Sequence, residues 1–213
     1  MKITGTKIKN AKLTVAPVVA TYRYWKFSVT EVVGADNTLW QITEFKLHYF
    51  GREVDMNAAT ATSPGASYVS GEEPQKAVDG NYTTKFCSND NDVANALAYP
   101  LIIDMGVPTP ATGISYVTGN DATERDPVTW VLWGSSDGST WTPVQWVVGY
   151  TPTTDRQTDT ETFNFVSLPT VHTTVTPTTG GISYTNMYTA WIQPINGTDA
   201  DVIPIGATVI AVS

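Results

Sequence analysis

Gln75-Lys-Ala77-Val-Asp79-Gly80-Asn81-Tyr-Thr-Thr84-Lys-Phe86-Cys87-Ser88 reads as a tight Asp-Gly turn set between apolar positions. A second stretch has the same character. Asp126-Pro127-Val-Thr-Trp130-Val-Leu-Trp133-Gly134 is an apolar strand, and it runs into Ser135-Ser136-Asp137-Gly138-Ser-Thr-Trp141, another Asp-Gly turn closed by an aromatic.

Outward from these turns the chain alternates with period two. From Tyr22 to Val33, Trp25, Phe27 and Val29 share one face, and Tyr24, Lys26, Ser28 and Thr30 share the other. From Glu44 to Phe50, the residues expected to point inward are Phe45, Leu47 and Tyr49, and Gly51 ends the run. Leu101 to Gly106, Ile114 to Thr118 and Val128 to Trp133 are further strands, and residues 58–68 lead from a small polar strand into a loop. Trp25, Trp130 and Trp141 fall within strand patterns and are expected in the core. No segment has the period and caps of a helix.

Composition agrees with an all-β chain. Hydrophobic residues make up 41% of the 213, enough for a core, and charged residues only 15%. Thirty-four threonines favour strands over helices. A net charge of −8 argues against nucleic acid, whose phosphates require clustered Lys and Arg. No apolar run is long enough to span a membrane. Cys87 is the single cysteine, expected to be a buried and inert thiol. His48 and His172 lie near no nucleophile motif and show no metal-ligand spacing, so catalysis is not expected.

The two turns resemble the discoidin-like, coagulation-factor C-type (galactose-binding-like) β-sandwich family. Ala77, Asp79, Gly80, Thr84, Phe86 and Ser88 match its first signature, and Ser135, Asp137, Gly138 and Trp141 its second. Leu101-Ile-Ile-Asp104-Met-Gly106 is similar to the strand sequence Ile-Asp-Leu-Gly. The resemblance implies an all-β, galactose-binding-like jelly-roll β-sandwich that binds surfaces and sugars without chemistry. Residues 22–51, with Arg23-Tyr24 and Glu44, are similar to the hairpin that normally ends the family fold, yet here they come first. Joining residue 165 to residue 22 restores the usual order, which implies a circular permutation. The alternative is that residues 22–51 pair with other elements.

In many relatives the first turn holds a structural Ca²⁺. Carried across, the ligands are Asp79, Asn81 and Thr84 with the more distant carboxylate of Glu44; the alternative is a plain turn capped by Thr84. Sugar recognition by such modules uses aromatic faces with amide and charged groups on loops at one end of the sandwich. The candidates are Tyr68 in a first loop, Asn89, Asn91 and Asp92 in a second, and Asn120, Asp121 and Arg125 in a third, with Trp40 and Trp146 as platforms. The stretch Asn89-Asp-Asn-Asp92 also reads as a merely solvated loop.

The organisation expected is an N-terminal arm at 1–21, the sandwich at 22–168 and a C-terminal β arm at 169–213. Residues 171–179 read as a Thr- and Pro-rich linker, and 184–195 and 202–212 as two strands. Residues 166–198 contain no Lys, Arg, Asp or Glu, and exposed apolar surface of that kind favours docking and a homo-oligomer. An adhesion module without disulfide or export signal suggests a bacteriophage structural protein, located in the virion and bound to other virion proteins and a host glycan. Two alternatives stand beside it: a structural capsid decoration or connector without glycan binding, and a carbohydrate-binding accessory module of a bacterial enzyme.

Overall fold

Burying one face of an alternating strand requires a second layer, and the chain supplies it with antiparallel sheets. The computed structural model describes residues 17–34, 39–65, 69–88, 99–166, 170–174 and 185–189. The larger sheet centres on β1 (Ala20–Val32), flanked by β7 (Leu101–Ala111) and β9 (Pro127–Ser135). Its edges are β10 (Thr142–Val147) on β9 and β5 (Thr60–Thr62) on β7. The second sheet runs β11 (Phe163–Asn164), β8 (Gly113–Val117), β3 (Glu44–Tyr49), β4 (Arg52–Glu53). A short ribbon pairs β2 (Trp40–Ile42) with β6 (Phe86–Ser88). Two 3-10 turns, Pro74–Val78 and Thr123–Arg125, are the helical elements among the described residues.

The core lies between the sheets. Phe27 of β1 stands 5.6 Å from the ring of Trp130, 5.5 Å from Phe45 and 6.4 Å from Tyr116, the last two on the opposite sheet. Each favourable ring pair adds about 0.5–1.5 kcal/mol beyond area burial. Trp25, Phe27 and Val29 are fully buried, as their alternation requires, and so is Trp130. Trp141 is only half-buried.

Three expectations need correction. Residues 22–51 do not form a hairpin: β1 and β3 lie in different sheets, facing each other through Phe27 and Phe45. Both strands carry one apolar face, and stacking those faces buries them more fully than pairing edges would. Tyr49 is 40% exposed, because the chain turns sharply at Phe50 (φ 48°) and Gly51 and carries β3 out from under the opposing sheet. Finally, Thr170–Thr174 is strand β12, paired with β13 (Thr185–Thr189), where a linker was expected. Threonine-rich sequence favours extended backbone once a partner strand is present. The strand expected at 202–212 lies outside the described residues.

At one end of the sandwich, Val18 N donates to Phe165 O at 3.0 Å and Pro17 bridges Val166. The first and last segments of the sandwich are therefore neighbours. Among the described residues no helix is long and apolar enough to cross a membrane.

Candidate functional site

The Asp79-Gly80 turn follows the first 3-10 turn directly. Gly80 has φ 70°, and a Cβ there would meet nothing within 4 Å. The requirement for glycine is thus conformational rather than spatial. Asp79 Oδ1 and Glu44 Oε1 both accept from Asn81 N, at 3.0 and 2.8 Å. Thr84 Oγ1 lies 3.1 Å from both Asp79 carboxylate oxygens and donates to Asn81 O at 2.9 Å. All four residues expected at a cation site therefore come together. Glu44 is 4% exposed, and burial, with the Asp79 carboxyl beside it, raises its pKa to about 7 against the single backbone donor. Lys76 Nζ, 3.3 Å from Asp79 Oδ2, supplies partial neutralisation from the surface. The oxygen-only donor set fits a hard cation in kind, but it holds only two carboxylates, and no cluster of three or more acidic, His or Cys ligands occurs among the described residues.

The same segment builds a second cluster at the loop end of the sandwich. Lys85, one residue before β6, is 3% exposed. Its ammonium donates to Asp121 Oδ1 at 2.6 Å and Gln41 Oε1 at 3.0 Å, with Glu72 Oε1 at 3.5 Å. Gln41, fully buried on β2, turns its amide nitrogen to Asp121 O at 2.7 Å and Ala122 O at 3.2 Å. A Cβ on Gly119 would fall 2.4 Å from that amide, so the approach needs glycine. Arg156 completes the frame: it donates to Asp121 O at 3.2 Å and clasps the buried Asp126 with two bonds of 3.0 and 2.5 Å. Partial burial would raise the Asp121 pKa, but the hydrogen bond and charge of Lys85 outweigh it and hold the carboxylate below its ordinary value. Asp126 is pushed up by burial despite Arg156. These buried ions hold the 119–126 loop in one shape. Asn120 and Asp121 are exposed, and Arg125 is half-buried, its buried Nε lacking a hydrogen-bond partner among the described residues. An exposed amide and carboxylate on a loop fixed from behind suit a hydroxyl-rich ligand.

Comparison with protein families matches residues 58–191 to the F5/8 type C domain. The chain belongs to the F5/8 type C family. Domains of this family are carbohydrate- and ligand-binding modules and are typically non-catalytic. Comparison with curated proteins gave no match. The F5/8 type C match takes in both Asp-Gly turns and the 119–126 loop, while β1 to β4 precede it.

In this F5/8 type C chain Trp40 is not an open platform. It is fully buried against Phe27 and Phe86, its Nε1 donating to Tyr99 O at 3.2 Å, because β2 lies over the end of the core. Trp146 is 37% exposed but stands on the outer face of the larger sheet. Tyr68, Asn89, Asn91 and Asp92 lie outside the described residues. Sequence reading missed Gln41, Glu72 and Lys85. The one available signal was a lysine flanking the apolar Phe86 and Cys87. Cys87 is buried and its thiol pushed up to about 11, chiefly by burial, which leaves it unreactive. His48 Nε2 sits 2.8 Å from Ser115 Oγ, but Ser115 is buried within β8 and offers no access to a substrate.

Proposed function

We propose that the chain is a non-enzymatic glycan-binding module whose ligand meets the edge formed by Asn120, Asp121 and Arg125. The observation that carries this reading is the buried pair Lys85 and Gln41, which fixes the exposed Asp121 and its loop from behind. Exposed polar groups bind well only when their geometry is fixed beforehand. Single-site affinity is expected to be weak, with avidity supplied by several copies. A glycan array with the full chain tests it: signals lost in both N120A and R125A support the reading, and an array no brighter than an unrelated β-sandwich contradicts it.

Calcium is the proposed structural ion of the Asp79 turn. Glu44, Asp79 and Thr84 would hold it with the Asn81 carbonyl, and the buried Glu44 carboxyl supports the reading. The ion would supply charge neutralisation and a rigid anchor between the turn and β3; the ligand-contacting residues lie elsewhere.

For the wider setting, we infer a bacteriophage virion protein of a tail fibre, baseplate or head surface, with residues 166–213 docking to neighbouring copies or to other virion proteins. The uncharged, apolar-rich sequence of 166–198 supports this. Circular permutation of the family order is part of the same proposal, supported by the adjacency of Val18 and Phe165. Deleting residues 170–213 should leave the sandwich folded and abolish assembly, as read by sedimentation. Identical sedimentation of the two forms would count against it.

A further inference from the structure

Where Pro17 meets Val166, the sandwich carries a groove of about 440 Å³. Pro17, Phe50, Thr112, Asn164, Phe165 and Val166 line it, and no lining residue is charged. Phe50 is the unusual member. It is 59% exposed, and its φ of 48° lies in the left-handed region, which strains a bulky side chain. Glycine would hold the same turn without that strain. The turn is pinned nonetheless: Phe50 N donates to Thr112 Oγ1 at 2.8 Å, and Thr112 N to His48 O at 2.7 Å. The exposed Tyr49 meets the Phe50 ring edge to face, with centroids 4.7 Å apart. The buried Phe165 stacks on Trp25 at 6.1 Å, which ties the groove to the core. The fold thus maintains an aromatic pair at the surface in a strained turn beside an uncharged groove.

We propose that this groove receives residues 202–212 of a neighbouring copy. The proposal rests on the assembly reading above and narrows it to one surface. Charge selects the segment. Residues 202–212 carry no charged side chain and include Val202, Ile203, Ile205, Val209, Ile210 and Val212, which match an uncharged groove. Residues 1–16, which join the fold at the same place, bring Lys2, Lys7, Lys9 and Lys12 and would bury ammonium groups without partners. Reach agrees. The β12–β13 register sets Thr189 opposite Thr170, four residues beyond Val166. Thr170 therefore stays within about 15 Å of Val166, and Thr189 lies about one strand spacing, ~5 Å, from it. The terminal segment starts near the groove and can cross to a copy set against this end. Access selects the neighbour as its source: within one chain Phe50 stays largely exposed and Val166 is 40% exposed. Two copies that exchange these segments would fill both grooves in a closed pair.

The test uses the full-length chain. N164C and T208C chains are co-expressed and treated with a short bismaleimide; Cys87 is buried, so the introduced thiols are the reactive ones. A covalent two-chain product is expected from the mixture and from neither variant alone. F50G is the decisive companion. It relieves the strained turn, so it should melt no lower than the parent, yet it should raise the concentration needed for assembly about tenfold or more in sedimentation. F50D should do the same, since aspartate tolerates the left-handed region better than phenylalanine. A parent that assembles, with F50G and F50D assembling equally well and no cross-link forming, would overturn the groove while leaving the assembly reading intact. A cross-link confined to single chains of an N164C/T208C double variant would place the chain's own segment there and contradict the proposal. A parent that sediments as a monomer at high concentration would defeat the assembly reading and this proposal with it.

Discussion

Lys85 Nζ lies 2.6 Å from Asp121 Oδ1, and this contact ties the segment before β6 to the 119–126 loop. The lysine side chain is 4% exposed and the aspartate 58%, so the two partners are not equivalent. Removing Asp121 leaves a buried ammonium short of an acceptor, whereas removing the charge of Lys85 leaves a carboxylate that water can reach. D121A should therefore cost about 1–3 kcal/mol and K85M distinctly less. The double variant should recover most of the D121A loss. Urea denaturation of the three proteins measures the order; K85M proving the more damaging would contradict this account.

The second Asp-Gly turn gives a pH dependence. Asp137 Oδ1 accepts from Thr140 N at 2.7 Å, Ser139 N at 2.8 Å and Ser135 Oγ at 2.9 Å. Those bonds hold its pKa far below the ordinary aspartate value. A carboxylate depressed in the folded state adds stability that is present above its unfolded pKa and is lost as pH falls toward the folded value. D137N should lower the melting temperature at neutral pH, and the gap from the parent protein should narrow as the solution is acidified below pH 4. A gap that is constant with pH would assign the effect to packing alone.

Glu44 behaves in the opposite sense. Its folded pKa is raised to about 7, so the folded state holds a proton that the unfolded chain releases, and stability should fall as pH rises from about 4.5 to 7. A cation bound there would remove that penalty. Calcium at one hundred times its dissociation constant would add about 2.7 kcal/mol. Melting should then rise on adding calcium at pH 8 and fall back with chelator, and D79A or E44Q should abolish the difference. No response to either reagent would leave Lys76 as the turn's own source of neutralising charge.

Phe27 tests the core. It contacts rings on both sheets and also Trp40 of the β2–β6 ribbon, at 5.8 Å. Phe27→Ala should cost about 3–5 kcal/mol, since so crowded a ring cluster cannot collapse to fill the space. A loss below 1 kcal/mol would mean that the sheets are packed differently.

Much of this was legible in the sequence because it is periodic or turn-bound. The alternation around Trp25, Phe27 and Val29 placed β1, and the two Asp-Gly turns placed Asp79, Asn81 and Thr84 within one hydrogen-bonded loop. What alternation cannot say is which strand lies beside which. It gives β1 and β3 one apolar face each, and those faces can be met by edge pairing or by stacking. Trp40 was misread for a related reason: a three-residue ribbon has too few residues to show a period, so its burial depends on long-range packing. The Lys85–Gln41–Asp121 cluster joins positions 36 to 80 residues apart, and no local pattern marks it. Cys87, by contrast, was expected to be buried on residue chemistry alone, and it is.

The most direct test of the glycan-binding reading is a glycan-array comparison of the full-length protein with N120A and R125A, each checked for an unchanged melting temperature. The account predicts a defined set of glycans bound by the parent protein and lost, by about tenfold or more, in both variants. Binding that is undiminished in both would contradict it, and so would a parent protein that retains no glycan at all.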